Sequence, residues 1–198
     1  MSAIGLSADV AQVAITLLTA NILLGLLISG RYSPVRYWPH RKINIFWTHN
    51  QTGLAALCVS VLHPALLLLA TRVKFRVLDV VFPAWSPQQP TVNLIGAAAL
   101  YMLAFVLVTS YYRVQIGRRT WKALHFTTYA VAGCAFVHGI LANPHLNAAP
   151  LDYLDGGKVY IEICLLIVLA AIMLRVRYGR AKARRSRIAA ASVPEASV

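Results

Sequence analysis

The stretch ALHFTTYAVAGCAFVH, residues 123–138, is apolar along almost its whole length but has a histidine near each end. It belongs to a longer apolar run, residues 121–142. At about 1.5 Å per residue, such a run is long enough to cross the roughly 30 Å hydrocarbon core of a bilayer. Histidine is rare inside membrane helices and usually has a function there. The run therefore predicts a membrane helix that carries part of a functional site.

Four further runs have the same apolar character. The chain of 198 residues is 59% hydrophobic and only 13% charged, whereas an average soluble domain is about 25% charged. Each of the four runs is close to the length of a membrane helix: residues 10–29, 43–70, 91–112 and 159–174. We therefore predict an all-α integral membrane bundle of about five transmembrane helices.

The basic residues are distributed unevenly between the predicted loops. Of nineteen lysines and arginines, four lie between the first two runs, four between the third run and the start of the fourth, and seven after the fifth. These segments lie on one side of the membrane, which the positive-inside rule makes cytoplasmic. The prediction is a multi-pass protein of the inner (plasma) membrane, with its N-terminus outside and its C-terminus cytoplasmic. Topology and contacts with anionic lipid account for the net charge of +13, and no nucleic-acid partner is predicted.

Four of the six histidines lie in only two of the runs. His49 and His63 are fourteen residues apart in the second run, and His125 and His138 are thirteen apart in the fourth. These spacings correspond to roughly 21 Å and 20 Å along a helix axis. Both helices run from the cytoplasmic to the outer side, so His49 is predicted to face His125 at the inner depth and His63 to face His138 at the outer depth.

The directions of the side chains test this pairing. At about 100° per residue, His49 and His63 lie roughly 40° apart and nearly share a face. On a straight helix His125 and His138 lie roughly 140° apart, which requires a bend or a bulge between them. Gly133 is a candidate position for that distortion. The other two histidines, His40 and His145, fall in predicted loops and are left out of the site.

Two facing imidazoles at each of two depths favour haem over zinc. Zinc takes about four ligands at one point, whereas a haem iron takes two axial ligands from opposite sides. The absence of a Cys-x-x-Cys-His motif argues against covalent attachment, so the pattern predicts two haem b groups held by His49, His63, His125 and His138. Arg118 and Arg119, at the inner end of the fourth run, are predicted to bind haem propionates or the electron donor.

Two axial ligands leave each iron without an open position for a substrate, so the haems are predicted to carry single electrons. No glycine-rich dinucleotide fingerprint follows a strand, so the electron donor is predicted to be a separate molecule. The candidates are a cytoplasmic flavoprotein reductase and membrane quinol. The flavin or quinone would then be on a partner or at the membrane face. Ferric iron, oxygen and a periplasmic redox protein remain open as external acceptors. Two alternatives also remain: a quinol-linked cytochrome b subunit of a larger complex, and a haem-free transporter or scaffold.

The segment TVNLIGAAALYMLAFVLVTSYYRVQIGRRTWKALHFTTYAVAGCAFVHG, residues 91–139, resembles the ferric reductase-like transmembrane domain family. The shared features are Thr109-Ser110, a short basic loop, Trp121, Leu124-His125 and the distal His138, together with the fourteen and thirteen spacings. The resemblance is strongest over residues 44–142. It implies a membrane haem domain, residues 1–178, that passes electrons between two bis-histidine haems.

Two departures from the larger family members shape the expectation. NADPH oxidases of this family have a further helix before the first one and a C-terminal flavin and nicotinamide domain. This chain more closely resembles short bacterial members, such as the haem-binding subunit of the periplasmic methionine sulfoxide reductase system. It is therefore expected to be the electron-transfer membrane subunit of an oxidoreductase, without a flavin domain of its own. Residues 179–198, which are basic and then rich in alanine and serine, are expected to form a disordered cytoplasmic tail.

Overall fold

The computed structural model describes residues 2–30, 44–71, 73–143 and 152–191. In these ranges the chain forms α-helices and short 3-10 helices, and it forms no strand. Within the described ranges, five helical stretches are long and apolar enough to cross a membrane. The predicted all-α bundle of five membrane spans is therefore confirmed. His40 and His145 lie outside the described residues.

The elements follow one another as an up-and-down bundle. The second span consists of α2 and the 3-10 helix η1, and the fourth consists of α6 and α7. In chain order the elements are α1 (Ala3–Ser29), α2 (Ile45–Ala65), η1 (Leu66–Leu69), α3 (Val77–Val81), η2 (Pro83–Trp85), α4 (Pro90–Tyr111), α5 (Arg113–Ile116), α6 (Arg118–His125), α7 (Thr128–Leu141) and α8 (Gly156–Ala191).

The bundle has two ends, which we name after a residue at each. At the Arg118 face α1 ends, α2 begins, α4 ends and α6 begins; Arg175 of α8 donates there to the Ser29 carbonyl oxygen at 2.9 Å. At the Asp79 face α1, α4 and α8 begin and α2 and α7 end. Gln89 joins two of these ends, because its side chain donates to the Asn143 carbonyl at 2.9 Å and accepts from the Asn143 N–H at 2.8 Å.

Local sequence explains where several helices begin. The Ser2 hydroxyl accepts from the Gly5 N–H at the start of α1, and the Asn44 side chain accepts from the Trp47 N–H at the start of α2. These are standard N-cap interactions, which satisfy amides that the first turn leaves free. Gly117 has a φ of 84° and separates α5 from α6. A side chain at that φ is strained, so glycine allows the chain to turn back into the membrane.

Small side chains line the contacts between the spans. α1 packs against α2, α7 and α8, and α4 packs against α7. Ala56, Ala99 and Ala132 are buried at these contacts, where small residues allow membrane helices to approach closely. Many large apolar side chains, such as Leu54 and Leu166, point outward instead. They form the lipid-facing surface that a membrane span requires.

The fourth span is interrupted directly after His125. Phe126 and Thr127 form a turn between α6 and α7, and the amides of Phe126, Thr127 and Tyr129 bond to carbonyls three residues earlier. Because 3-10 geometry turns the chain by about 120° per residue, three such steps reduce the expected mismatch of roughly 140° between the two histidines to roughly 80°. The distortion thus lies at Phe126–Thr127 and not at Gly133, where α7 is regular.

The last helix extends beyond its membrane span. Span five covers Gly156–Ile188, and α8 continues to Ala191. This differs from the expectation of a disordered tail from residue 179. Long basic side chains have good helix propensity, so the exposed arginines here are compatible with a helix. Residues 192–198 lie outside the described residues.

Candidate functional site

The structure brings the four membrane histidines together in the two predicted pairs. The ring centroids of His49 and His125 are 6.2 Å apart, with 70° between the ring planes. Those of His63 and His138 are also 6.2 Å apart, with 68° between the planes. The first pair lies toward the Arg118 face and the second toward the Asp79 face. The second span (α2) and the fourth span (α6 and α7) therefore run parallel, as the sequence predicts, and hold two similar sites at different depths.

The spacing within each pair suits two imidazoles on opposite sides of one metal ion. With about 2.0 Å for a metal–imidazole bond and about 1.1 Å from ring nitrogen to ring centroid, two such rings have centroids about 6.2 Å apart. The same spacing also occurs in ordinary edge-to-face ring pairs. The hydrogen bonds on the other ring nitrogen separate the two cases, because metal-binding histidines generally donate that N–H to a fixed partner.

Three of the four histidines direct Nδ1 at a backbone carbonyl oxygen of a neighbouring span. The distances are 3.0 Å from His49 to the Asn21 oxygen, 2.8 Å from His63 to the Ser7 oxygen and 2.8 Å from His138 to the Val92 oxygen. A carbonyl oxygen only accepts, so Nδ1 carries the proton, and Nε2 of the neutral ring keeps a free lone pair. This is the tautomer that a metal ligand requires.

His125 has a different partner at the Arg118 face. Its Nδ1 lies 3.3 Å from the Ser110 hydroxyl oxygen, which also accepts from the Trp121 indole N–H at 3.3 Å. The rings of Trp121 and His125 are tilted by 31°, with centroids 5.1 Å apart. The Ser110 and Trp121 positions of the sequence motif thus meet around one imidazole, whereas the Thr109 hydroxyl bonds to carbonyls of its own helix.

Helix α1 holds both histidines of α2 through one repeated arrangement. The Ser7 carbonyl accepts from His63, while the Ser7 hydroxyl donates back to the His63 carbonyl at 2.8 Å. The Asn21 carbonyl accepts from His49, while the Asn21 side-chain amide donates back to the His49 carbonyl at 2.5 Å. We name these contacts the Ser7 clamp and the Asn21 clamp. They fix both the ring and the backbone of each histidine.

The two clamps are not among the contacts predicted from the sequence, although the sequence contains their signal. Ser7 and Asn21 are fourteen residues apart, the same spacing as His49 and His63. Two antiparallel helices with equal spacings place both polar residues opposite both histidines. A comparison of the spacing between polar residues of α1 with the spacing between His49 and His63 would have predicted both clamps.

Replacing Asn21 by alanine tests the Asn21 clamp. The variant loses two hydrogen bonds from the amide, to the His49 carbonyl and to the Thr52 hydroxyl at 2.9 Å. Because such bonds within membranes contribute about 0.6 kcal/mol each and at most about 1.7, we expect destabilisation of about 1–2 kcal/mol and earlier thermal loss of haem absorbance. Thr48→Ala is the control, since that hydroxyl bonds only to its own helix. Equal thermal curves for wild type and Asn21→Ala would contradict a role for the amide.

Two glycines allow the imidazoles to pack against a helix backbone. A Cβ on Gly96 of α4 would lie 2.8 Å from both Cε1 and Nδ1 of His138, closer than carbon atoms approach without a shift. A Cβ on Gly25 of α1 would lie 3.3 Å from Cε1 of His49. Each glycine follows by one helical turn the residue whose carbonyl accepts from that histidine. The absence of a side chain at both positions leaves room for the imidazole rings. The need for glycine is stricter at Gly96, where the added Cβ would lie closer to the ring.

A cavity of about 250 Å³ contains the histidine pair nearer the Asp79 face. Deep in the bundle its wall is apolar, formed by residues such as Leu18, Leu103 and Val131. Toward the Asp79 face polar side chains take over: Asp79, Ser86, Asn93 and Lys158. This gradient from apolar to polar suits a flat apolar macrocycle with carboxylates at one edge. The donor set and the wall of this site therefore fit a haem.

A second, more open cavity of about 460 Å³ lies at the Arg118 face. Arg118 lines it together with Phe46, Arg113, Val114 and Trp121. The Arg113 guanidinium stacks over the Phe46 ring at 4.8 Å. Arg119 is exposed and does not line this cavity. The structure thus separates the two predicted arginines and adds Arg113, which sequence reasoning had treated as a topology charge.

The donor groups of the site occur in pairs. In the described residues, no group of three or more His, Cys, Asp or Glu side chains is close enough to hold a metal ion by itself. A tetrahedral zinc site therefore finds no support in this part of the chain. Two trans imidazoles suffice only where a macrocycle supplies the remaining ligands.

The family model described as ferric reductase like transmembrane component matches residues 11–136. The chain belongs to this family. The matched range includes three of the paired histidines, His49, His63 and His125, and it ends two residues before His138. No curated protein and no solved structure matches the chain.

Membership of the ferric reductase-like family agrees with the geometry. Domains of this family generally bind haem and are associated with electron transfer across membranes. The five spans and the family together establish a multi-pass membrane protein. The resemblance stated from the sequence motifs is confirmed.

Proposed function

We propose that this protein transfers electrons across the membrane through two haem b groups, one held by His49 and His125 and the other by His63 and His138. The observation that carries the proposal is the repetition of one geometry at two depths: ring centroids 6.2 Å apart in both pairs. A haem bound between each pair of imidazoles would supply one-electron oxidation and reduction, and the two histidines would hold its iron. The chain's own contribution is to fix the four imidazoles and to exclude water from the space between them.

The route follows from the charges. The Arg118 face carries the basic loops and is assigned to the cytoplasm of the inner (plasma) membrane, with both the N-terminus and the Asp79 face outside. Electrons then pass from a cytoplasmic-side donor at the His49–His125 pair to the His63–His138 pair and to an acceptor at the outer surface. Ferric iron, oxygen and a periplasmic redox protein are the candidate acceptors.

Absorbance of the purified full-length protein tests this function. We expect a Soret band, split reduced α-band absorbance and two haems per polypeptide by pyridine haemochrome. Reduction by flavin mononucleotide hydroquinone indicates a flavoprotein donor, whereas reduction by a quinol analogue with an inhibitor-sensitive site favours the quinol-linked cytochrome b alternative. Protein that has no Soret band and takes up no added haem would contradict both and leave a haem-free transporter or scaffold.

The orientation has its own test. We expect a reporter fused after Val198 to remain cytoplasmic and a reporter inserted beside Ala148 to be exported, because the positive-inside rule places the basic loops in the cytoplasm. Alkaline phosphatase and green fluorescent protein fusions at both positions provide matched readouts. A cytoplasmic Ala148 reporter would reverse the direction of electron transfer proposed here.

Arg118 is proposed to position the electron donor at the open cavity of the Arg118 face. A guanidinium binds phosphate well, so the test uses flavin mononucleotide hydroquinone with inverted membrane vesicles. We expect Arg118→Gln to slow haem reduction about threefold to tenfold, mainly at low salt, since charge pairs steer association. Arg119→Gln is the control, because Arg119 does not line the cavity. Equal slowing in both variants would indicate a general effect of surface charge.

A further inference from the structure

Lys158 is a buried amine for which the described residues provide no hydrogen-bond acceptor. It lies in the first turn of α8, its residue is only 5% exposed, and its Nζ finds no acceptor among the described residues. Its Nζ lies over the face of the Tyr153 ring, 5.5 Å from the ring centroid. A lysine in such a position is costly unless an anion pairs with it. Three N–H donors are therefore available for a ligand.

The two acidic side chains that line the cavity with Lys158, Asp79 and Asp155, are already engaged. Asp79 accepts from the Arg76 side chain at 3.1 Å and from the Arg76 backbone N–H at 2.8 Å, and the Arg76 hydrogen bonds hold the pKa of Asp79 below its usual value. Asp155 accepts from the Gly157 N–H at 3.1 Å. Neither carboxylate forms an ion pair with Lys158 within 4.0 Å. Within the described part of the chain, the Lys158 amine therefore forms no salt bridge.

Lys158 lines the same cavity as His63 and His138. It belongs to the polar rim of that cavity, while the apolar wall lies deeper. The start of α8 is fixed against α1, because the Thr16 hydroxyl and the Tyr160 hydroxyl are 2.6 Å apart. The other rim groups are used internally: the Asn93 amide donates to the Gln88 carbonyl at 2.8 Å, and the Ser86 hydroxyl donates to the same carbonyl at 3.0 Å.

We infer that the Lys158 amine binds a propionate carboxylate of the haem held between His63 and His138. This inference rests on the proposed function and adds a residue that selects the orientation of the haem in its cavity. A cation at the polar rim favours the arrangement in which both carboxylates point to the Asp79 face. The amine also lowers the energy of a nearby added electron, so it raises the reduction potential of that haem.

Lys158→Met tests the inference, because methionine retains much of the length and removes the donors. In the purified holoprotein we expect one of two haem waves in a redox titration to move to lower potential, while the other stays unchanged. We also expect haem transfer from that site to apomyoglobin to become at least about tenfold faster, as for loss of a charged hydrogen bond. Lys158→Arg should remain near wild type. Lys74→Met, which removes an exposed lysine on the same face, is the control.

Haem dimethyl ester identifies the partner of the amine. If Lys158 binds a propionate, wild-type protein loaded with the ester behaves like Lys158→Met loaded with haem, and the substitution has no further effect on ester-loaded protein. An equal effect of Lys158→Met with either cofactor would show that the amine acts on another anion and would overturn the inference. A purely structural role would instead destabilise the haem-free protein, where we expect Lys158→Met to be at least as stable as wild type.

The failure of this inference and the failure of the proposed function have different signatures. Wild-type protein without haem contradicts the function before Lys158 is altered. Two haems with potentials and transfer rates unchanged by Lys158→Met contradict only the role of Lys158.

Discussion

Replacing His63 or His138 by alanine is expected to halve the haem content of the protein. Each substitution removes a proposed haem ligand from the pair nearer the Asp79 face, whereas the other pair lies about 20 Å away along the helices and keeps its own contacts. One haem per polypeptide should remain and should still be reduced from the Arg118 face. Electron transfer to an external acceptor should stop. Pyridine haemochrome, reduced spectra and vesicle assays measure the three effects.

The same substitution at the other pair should have a different consequence. His49→Ala and His125→Ala are expected to block reduction from the Arg118 face. They should also lower stability, because a bound cofactor contributes its binding free energy to the folded state. His145→Ala is the control, since its position is a predicted loop. Four variants with full haem content would refute the ligand assignment, and a result in which His49 behaves like His138 would refute the pairing.

Gly96→Ala is expected to remove the same haem as His138→Ala. The added Cβ would lie 2.8 Å from two ring atoms of His138, and the ring cannot withdraw without breaking its 2.8 Å hydrogen bond to the Val92 carbonyl. Alanine otherwise favours a helix over glycine by about 1 kcal/mol. Loss of haem with preserved helix content would therefore come from the displaced ligand and not from the backbone. Haem content and the electron paramagnetic resonance spectrum of the low-spin iron are the measurements.

Two matched glycines control this result. Gly133→Ala adds a Cβ into open space, with no atom within 4 Å, so both haems should be retained. Gly25→Ala should have an intermediate effect on the other haem, because its Cβ would lie 3.3 Å from His49. The double variant Gly96→Ala with His138→Ala should match His138→Ala alone, since both act on one ligand. Unchanged spectra in Gly96→Ala would contradict the close approach.

The sequence by itself determined the number of spans, the family and the pairing of the histidines. These properties depend on local hydropathy and on the spacing of residues along single helices. Because helical geometry is fixed, that spacing gives the relative depth of each residue in the membrane. His49 and His63 illustrate the point, because their spacing of fourteen residues places them on one face whatever surrounds them. The parallel direction of the second and fourth spans follows from counting crossings.

The tertiary structure alone decided which other residues complete the site. The distortion that reduces the angle between His125 and His138 lies at Phe126–Thr127. No glycine marks this position in the sequence, because the 3-10 bonding there depends on packing. Likewise, Ser7 bonds to His63 and Gly96 makes room for His138, although each pair is separated by more than forty residues. Such contacts are set by how helices are rotated and shifted against one another. That arrangement depends on close packing of small side chains within the membrane. Hydropathy does not predict which faces of the helices pack against one another there.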